Sequence, residues 1–188
     1  APIDNRFKKT NVKGVTAKVI PAVQLGGDCY PSTPIGVNLP TADWIREQYG
    51  SKSILLSNIT RAYSEAASGS GSLEEFAASA EEVARHKKYG RESDDLHTLL
   101  HECLGHGSGQ MRNGVSLDAL KTYGSTIEEA RADLYALYFM ADNKMIELGL
   151  LPCKEAAWTH YDSYMRNGIL VQLARISKGQ KIEEAHMR

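Results

Sequence analysis

Residues 97–110 read HTLLHECLGHGSGQ and hold three of the chain's six histidines. His101 is followed by Glu102, and His106 stands five positions after His101. Successive side chains of an α-helix are rotated by about 100°, so residues i and i+4 lie about 40° apart and can share one ion, whereas i and i+5 lie about 140° apart. A regular helix therefore cannot aim both imidazoles at one ion. If the two share one, the helix must widen or kink between Glu102 and His106. A π-turn does this, and such turns gather at functional sites. Gly105 stands beside His106, where a backbone distortion costs least. The chain must then build a helical frame around 101–106 and tolerate one irregular turn in it.

A rival pairing exists. His97 and His101 have the i, i+4 spacing, but His97 is followed by Thr98 and lacks an adjacent carboxylate to act as a base. Downstream lies EEARAD, residues 128–133. A catalytic metal site needs a third protein ligand and one open position. Glu129 supplies such a ligand from a second helix. Asp133, one turn on, or Glu128 can accept a hydrogen bond from a ligand histidine's free N–H and fix its tautomer. Taken alone, EEARAD reads as the acidic first turn of a helix, with Glu128 paired to Arg131.

The rest of the chain predicts a mainly α fold with a small β or extended portion near the start. Residues 14–26 and 52–58 read as strands or extended segments. Residues 26–44 are dense in Pro and Gly and read as irregular or extended. Thr41 is placed to cap a short helix over 42–49 that Gly50 ends. From residue 58 the pattern is helical. Ser72 with Glu75 and Ser125 with Glu128 have the spacing of capping boxes, opening helices over 72–88 and 125–149. Another helix covers the histidine run, one starts at Pro152, and a last one begins near Lys181. Residues 1–56 thus form an extended strip and 57–188 a helical lobe.

The net charge is −1, which gives no sign of a nucleic-acid partner. No apolar run approaches the roughly 20 residues a membrane span needs. Three cysteines are too few and too odd for a disulfide framework, which points to a reducing, cytoplasmic setting. The first residue is Ala1, and the chain stops within a helical pattern at KIEEAHMR. Both ends read as cuts in a longer protein, so the remainder of the parent chain is an expected partner.

HECLGH, followed by a glutamate 28 residues after its first histidine in EEARAD, resembles the dipeptidyl peptidase III family of zinc exopeptidases, family M49. That family is marked by H-E-x-x-G-H and E-E-x-R-A-[ED], and the chain matches both at every fixed position. Cys103 fills a variable position in the manner of the Bacteroidetes-type bacterial branch. GDCYPSTPIGVNLP (27–40) is similar to the family's cleft-lining segment, and EEAHMR (183–188) to the segment carrying its active-site histidine.

The resemblance implies one zinc ion per chain, bound by His101, His106 and Glu129, with Glu128 and Asp133 behind the ligands. It implies Glu102 as general base to a zinc-bound water and His186 as the histidine that steadies the transition state. Asn38 is similar to an asparagine that contacts the substrate's free N-terminus, although a second family asparagine is Thr41 here. Pro34 to Val37, Gly36 among them, are similar to a stretch that pairs with the substrate backbone. The implied activity is release of N-terminal dipeptides from oligopeptides. Part of the family's machinery lies outside the chain: a tyrosine before its start and arginines beyond Arg188. A fragment lacking them is expected to be a poor catalyst. A different zinc hydrolase, or a non-catalytic zinc-stabilised helical module, would carry the same three ligands.

Overall fold

The computed structural model describes residues 15–23, 33–107, 114–115, 117–174 and 176–179. The expected helix near Lys181, His186 and most of the 27–33 segment lie outside the described residues. A small sheet precedes a helical bulk, as the sequence predicts. Strands β1 (Val15–Ile20), β2 (Gly36–Leu39) and β3 (Ser51–Leu56) form it in the order β1-β3-β2. β1 runs parallel to β3, and β2 antiparallel. Between β2 and β3 lies the short helix α1 (Asp43–Tyr49). Gly50 ends it at φ 83°, but Thr41 does not cap it, because Ala42 takes the N-cap position.

The helices are α2 (Ser57–Ser68), α3 (Ser72–Phe76), α4 (Ala80–Leu100), α5 (Gly124–Met140), α6 (Asn143–Glu147) and α7 (Lys154–Ala174). Asn58 sits inside α2 and bonds both the N–H and C=O of Ala22, each at 2.8 Å, pinning the segment after β1. The helix expected over 72–88 is broken after Phe76, and its working cap lies one turn later. Ser79 accepts from the Glu82 N–H, and Glu82 reaches back to the N–H of Ala78. From there α4 continues without interruption into the histidine run.

The helix expected over 125–149 also divides. Asp142 leaves helical geometry and accepts from the Lys144 N–H, which starts α6. Gly149 ends that stretch at φ 69°, as expected. Nor does Ser125 cap α5: the helix opens one residue earlier, with Tyr123 at the N-cap.

Leu96, Leu100, Ala136, Met140, Met145, Leu151, Ala156 and Ala157 make one buried cluster joining α4, α5, α6 and α7. Two ion pairs, Arg85 with Asp162 and Arg166 with Glu82, clamp α4 to α7 along its edge. This core fixes α4 and α5 side by side, and both motifs stand on those two helices.

Candidate metal centre

His101 through His106 form a π-helical turn at the end of α4. The N–H of His101 is shared between the carbonyls of His97 and Thr98, where the α-helix gives way. A π-turn bonds i to i+5 and brings those residues to one side, as an α-turn does i and i+4. That is the irregularity the five-residue spacing demands. The two rings stand edge to face, centroids 4.6 Å apart, with their Nε2 atoms 3.0 Å apart.

Gly105 serves a different end from the one its position suggests. It is buried, and a Cβ built on it would lie 2.6 Å from the Cα of Ala132 and 2.9 Å from its carbonyl. Ala132 is wholly buried. With almost no side chain on either side, the π-turn lies directly on the first turns of α5. Glu128, Glu129 and Asp133 are thereby brought to the two imidazoles.

Glu129 Oε2 lies 3.2 Å from His101 Nε2 and 3.5 Å from His106 Nε2. On the far side of each ring a carboxylate receives Nδ1: Asp133 Oδ1 at 2.7 Å from His101, and Glu128 Oε1 at 3.0 Å from His106. Arg131 holds Glu128 with two bonds, at 2.9 and 2.6 Å. The expected pair of Glu128 with Arg131 is thus made, and Glu128 serves the histidine as well.

Each Nδ1–H is committed to a carboxylate, so each Nε2 keeps its lone pair. Three electron-pair donors therefore face one another across 3.0–3.5 Å. Around a tetrahedral ion with bonds of about 2.0–2.2 Å, neighbouring donors stand about 3.3–3.6 Å apart. The donor set fits a small divalent cation.

Without such a cation, only protons can relieve the repulsion. Burial opposes charge on His101, but its bonds to Asp133 and Glu129 outweigh burial and push the ring up to about 9. Burial likewise opposes charge on His106, and Glu128 and Glu129 push it up to about 9. Burial would raise Glu128, yet His106 and Arg131 hold it down at about 2. Asp133 is held well below the ordinary carboxylate range against the same opposition, by His101, His97 and Tyr164.

Glu102 stands in the same turn. Its Oε2 is buried and bonds nothing among the described residues. Burial raises its pKa, which the two histidines oppose. Across from it runs β2. A Cβ on Gly36 would come within 3.1 Å of Glu102 Oε1 and 3.2 Å of Thr98 Cγ2. Asn38 is buried, and its Nδ2 bonds Ser53 Oγ at 2.8 Å and the Glu102 carbonyl at 3.2 Å. Its Oδ1 is buried and has no partner among the described residues. Pro34 is exposed, two residues before β2. Arg46 on α1 bonds the carbonyls of Pro40 and His106, a tie between β strip and π-turn that the sequence reading does not include.

His97 does not join the three converging donors. Its Nε2 lies 3.3 Å from Asp133 Oδ1, behind His101. Tyr164, which the sequence reading leaves out, donates to Asp133 Oδ2 at 2.7 Å. His160 is buried against His97. Only the spacing of His160 and Tyr164 by one helical turn hints at a shared face.

Residues 27–118 match the model described as Peptidase family M49. This span includes β2 and HECLGH but ends before EEARAD. Dipeptidyl peptidase 3 of Mus musculus is 24% identical over 189 residues, which cover 82% of this chain and 25% of that protein. The structure of DPP III from Caldithrix abyssi has a TM-score of 0.71 at 28% identity, covering 99% of this chain and 34% of that one. The structure of dipeptidyl-peptidase III from Corallococcus sp. strain EGB has a TM-score of 0.68 at 25% identity, covering 92% of this chain and 31% of that one. The chain therefore spans about a quarter to a third of the length of these relatives. With both motifs intact and nearly the whole chain sharing the fold of these peptidases, the chain is similar to peptidase family M49.

Proposed function

We propose that this chain carries the zinc centre and the general base of a dipeptidyl peptidase, whose parent protein releases N-terminal dipeptides from oligopeptides. The observation that carries the reading is the convergence of His101 Nε2, His106 Nε2 and Glu129 Oε2, with Glu102 Oε2 buried in the same turn and without a partner among the described residues. These three residues would hold zinc. When bound, zinc supplies a Lewis acid that polarises a carbonyl and makes a neighbouring water more acidic.

The chain's own residues do the rest. Glu102 accepts the proton of the attacking water and passes it to the leaving amine. Its free oxygen and raised pKa suit an acceptor that must later give the proton back. A purely structural site uses four protein ligands and needs no such base. Glu128 and Asp133 keep both rings as Nδ1–H tautomers, so that Nε2 stays available.

Among the described residues β2 is an edge strand, with one side paired to β3 and no strand on the other. Pro34, Gly36 and Asn38 on or before it would line the peptide, which adds as a strand. Gly36 keeps that strand close to Glu102. Residues 1–56 would serve as the cleft strip and 57–188 as the helical zinc lobe, with His186 completing the site from its end. The setting we assign is cytoplasmic. No helix among the described residues is long and apolar enough to cross a membrane.

The test is Glu102→Ala in the full-length parent. Zinc content by mass spectrometry should stay near one per chain, while hydrolysis of a dipeptidyl arylamide falls by at least about 10²-fold. Loss of zinc would show that Glu102 is a ligand, and retained turnover would remove it as the base.

A further inference from the structure

Behind Asp133 the structure holds a partly buried polar wall that the reading above does not use. α4 contributes Asp94 and His97, and α7 contributes His160 and Tyr164. Tyr164 donates its hydroxyl to Asp133 Oδ2 at 2.7 Å. His97 Nε2 stands 3.3 Å from Asp133 Oδ1, the oxygen that receives His101 Nδ1 at 2.7 Å. His97 stacks on His160, centroids 4.3 Å apart at 28°. His160 is anchored in turn by Asp94, its Nδ1 2.9 Å from Oδ1.

A carboxylate offers about four acceptor sites, and three of Asp133's are used. The use is divided: Oδ2 is tied to α7, and Oδ1 to α4. The terminal torsion of an aspartate is broad and roughly two-fold, so one bond alone leaves the group free to swing. A carboxylate gripped at both oxygens cannot swing. If Asp133 turned, His101 would lose its Nδ1 acceptor. The ring proton could then move to Nε2, the atom that faces His106 and Glu129.

His97, His101 and Asp133 themselves approach closely enough to suggest a second ion. The geometry argues against it. His101 Nδ1 and Asp133 Oδ1 are 2.7 Å apart, a hydrogen-bond distance and well short of the roughly 3.3 Å between two ligands on one tetrahedral ion. His97 Nδ1 is buried without a partner among the described residues, so the ring proton is useful only on Nε2, toward Asp133.

We infer that Tyr164 and His97 are positioning residues of the metal centre: by gripping Asp133 at both oxygens they hold His101 as the Nδ1–H tautomer with Nε2 presented to the ion. The inference rests on the metal-centre reading above. It makes α7, which carries none of the ligands, part of the device that sets metal affinity.

The test is zinc affinity of the chain, by competition with a chromophoric chelator, together with the visible spectrum of the cobalt(II)-substituted protein. Tyr164→Phe and His97→Ala should each weaken zinc by about 10–100-fold and alter the cobalt spectrum. His97→Gln, which keeps an N–H donor, should recover most of the loss. Tyr161→Phe is the control. Its hydroxyl also ties α7 to α5, but through the Leu137 carbonyl and not through Asp133. It should leave affinity and spectrum unchanged, whereas a merely structural role would give the same loss for both tyrosines and would overturn the proposal. If Tyr164→Phe fails to fold, the His97→Ala and His97→Gln pair decides, and equal affinities there refute it. A native chain that takes up no zinc overturns the metal-centre reading and this inference with it. A native chain that binds zinc, with variants that bind it equally well, overturns this inference alone.

Discussion

Gly105→Ala is the smallest change that should take the metal centre apart. The added methyl would meet the Ala132 Cα at 2.6 Å, its Cβ at 2.7 Å and its carbonyl oxygen at 2.9 Å. Two of these three atoms are backbone, so no rotamer change relieves them. Ordinary carbon contacts begin near 3.5 Å, so the π-turn and α5 must part by about 1 Å. Overpacking typically costs about 1–3 kcal/mol, and a backbone clash belongs at the upper end. For a chain of this size about 3 kcal/mol lowers Tm by roughly 6–12 °C. The same 1 Å moves Glu129 away from both histidines. Metal bond lengths tolerate about 0.2 Å, so a ligand displaced that far is lost. Zinc affinity should then fall by more than the roughly 10–100-fold typical of an outer partner. Thermal denaturation of the metal-free chain and chelator competition measure the two effects separately. A Gly105→Ala protein with Tm within about 2 °C of the native one and unchanged zinc affinity would refute the close-approach argument.

Two further outcomes follow from the same geometry. Gly36→Ala should push Glu102 off its position, with a Cβ 3.1 Å from Oε1, lowering turnover of the full-length parent while zinc content stays constant; unchanged turnover would count against it. Zinc uptake should displace protons, because His101 and His106 both stand at about 9 in the metal-free site against an ordinary 6.5. Affinity should therefore rise with pH up to about 9, with the released protons visible in calorimetry across buffers of different ionisation enthalpy, and a flat profile would contradict the donor set. For the metal-free chain the sign is opposite: the raised pKa values stabilise it fully below about 6.5, and that contribution disappears as pH rises through about 9.

The need for a π-turn follows from the five-position separation of two histidines, and it is legible because helical rotation is local arithmetic. The grouping of His101, His106 and Glu129 is a different kind of reading, carried by a resemblance to a family's two motifs and not by spacing. Local signals misled where the site outbids them. Ser125 and Glu128 have the spacing of a capping box, worth about 1 kcal/mol. Glu128 instead takes two charged partners, Arg131 and His106, in a half-buried setting where charge-assisted bonds are stronger. The break at Asp142 was written in the sequence, since Asp-Asn is a helix-start signal, but the apolar pattern running across it hid the signal. Tyr164 was not legible at all. It reaches Asp133 only because the α4, α5 and α7 core sets α7 at that depth, and no pattern in residues 154–174 announces a partner 31 positions upstream.

The stretched motif and the close helix contact solve one problem between them. A π-turn is wider than an α-turn, so a helix that adopts one to aim two histidines pushes its neighbour away. The neighbour here must come closer, since it brings the third donor and both carboxylates that hold the rings. The contact is possible only where both surfaces are nearly bare. Gly105 is the glycine of HECLGH, and Ala132 is the second alanine of EEARAD. On α5, Ala132 stands three residues after Glu129 and immediately before Asp133, so the carboxylates lie on either side of the contact. The small residues of the two motifs are therefore as necessary to the site as its charged ones: the glycine and the alanine set the distance, and the imidazoles and carboxylates act across it.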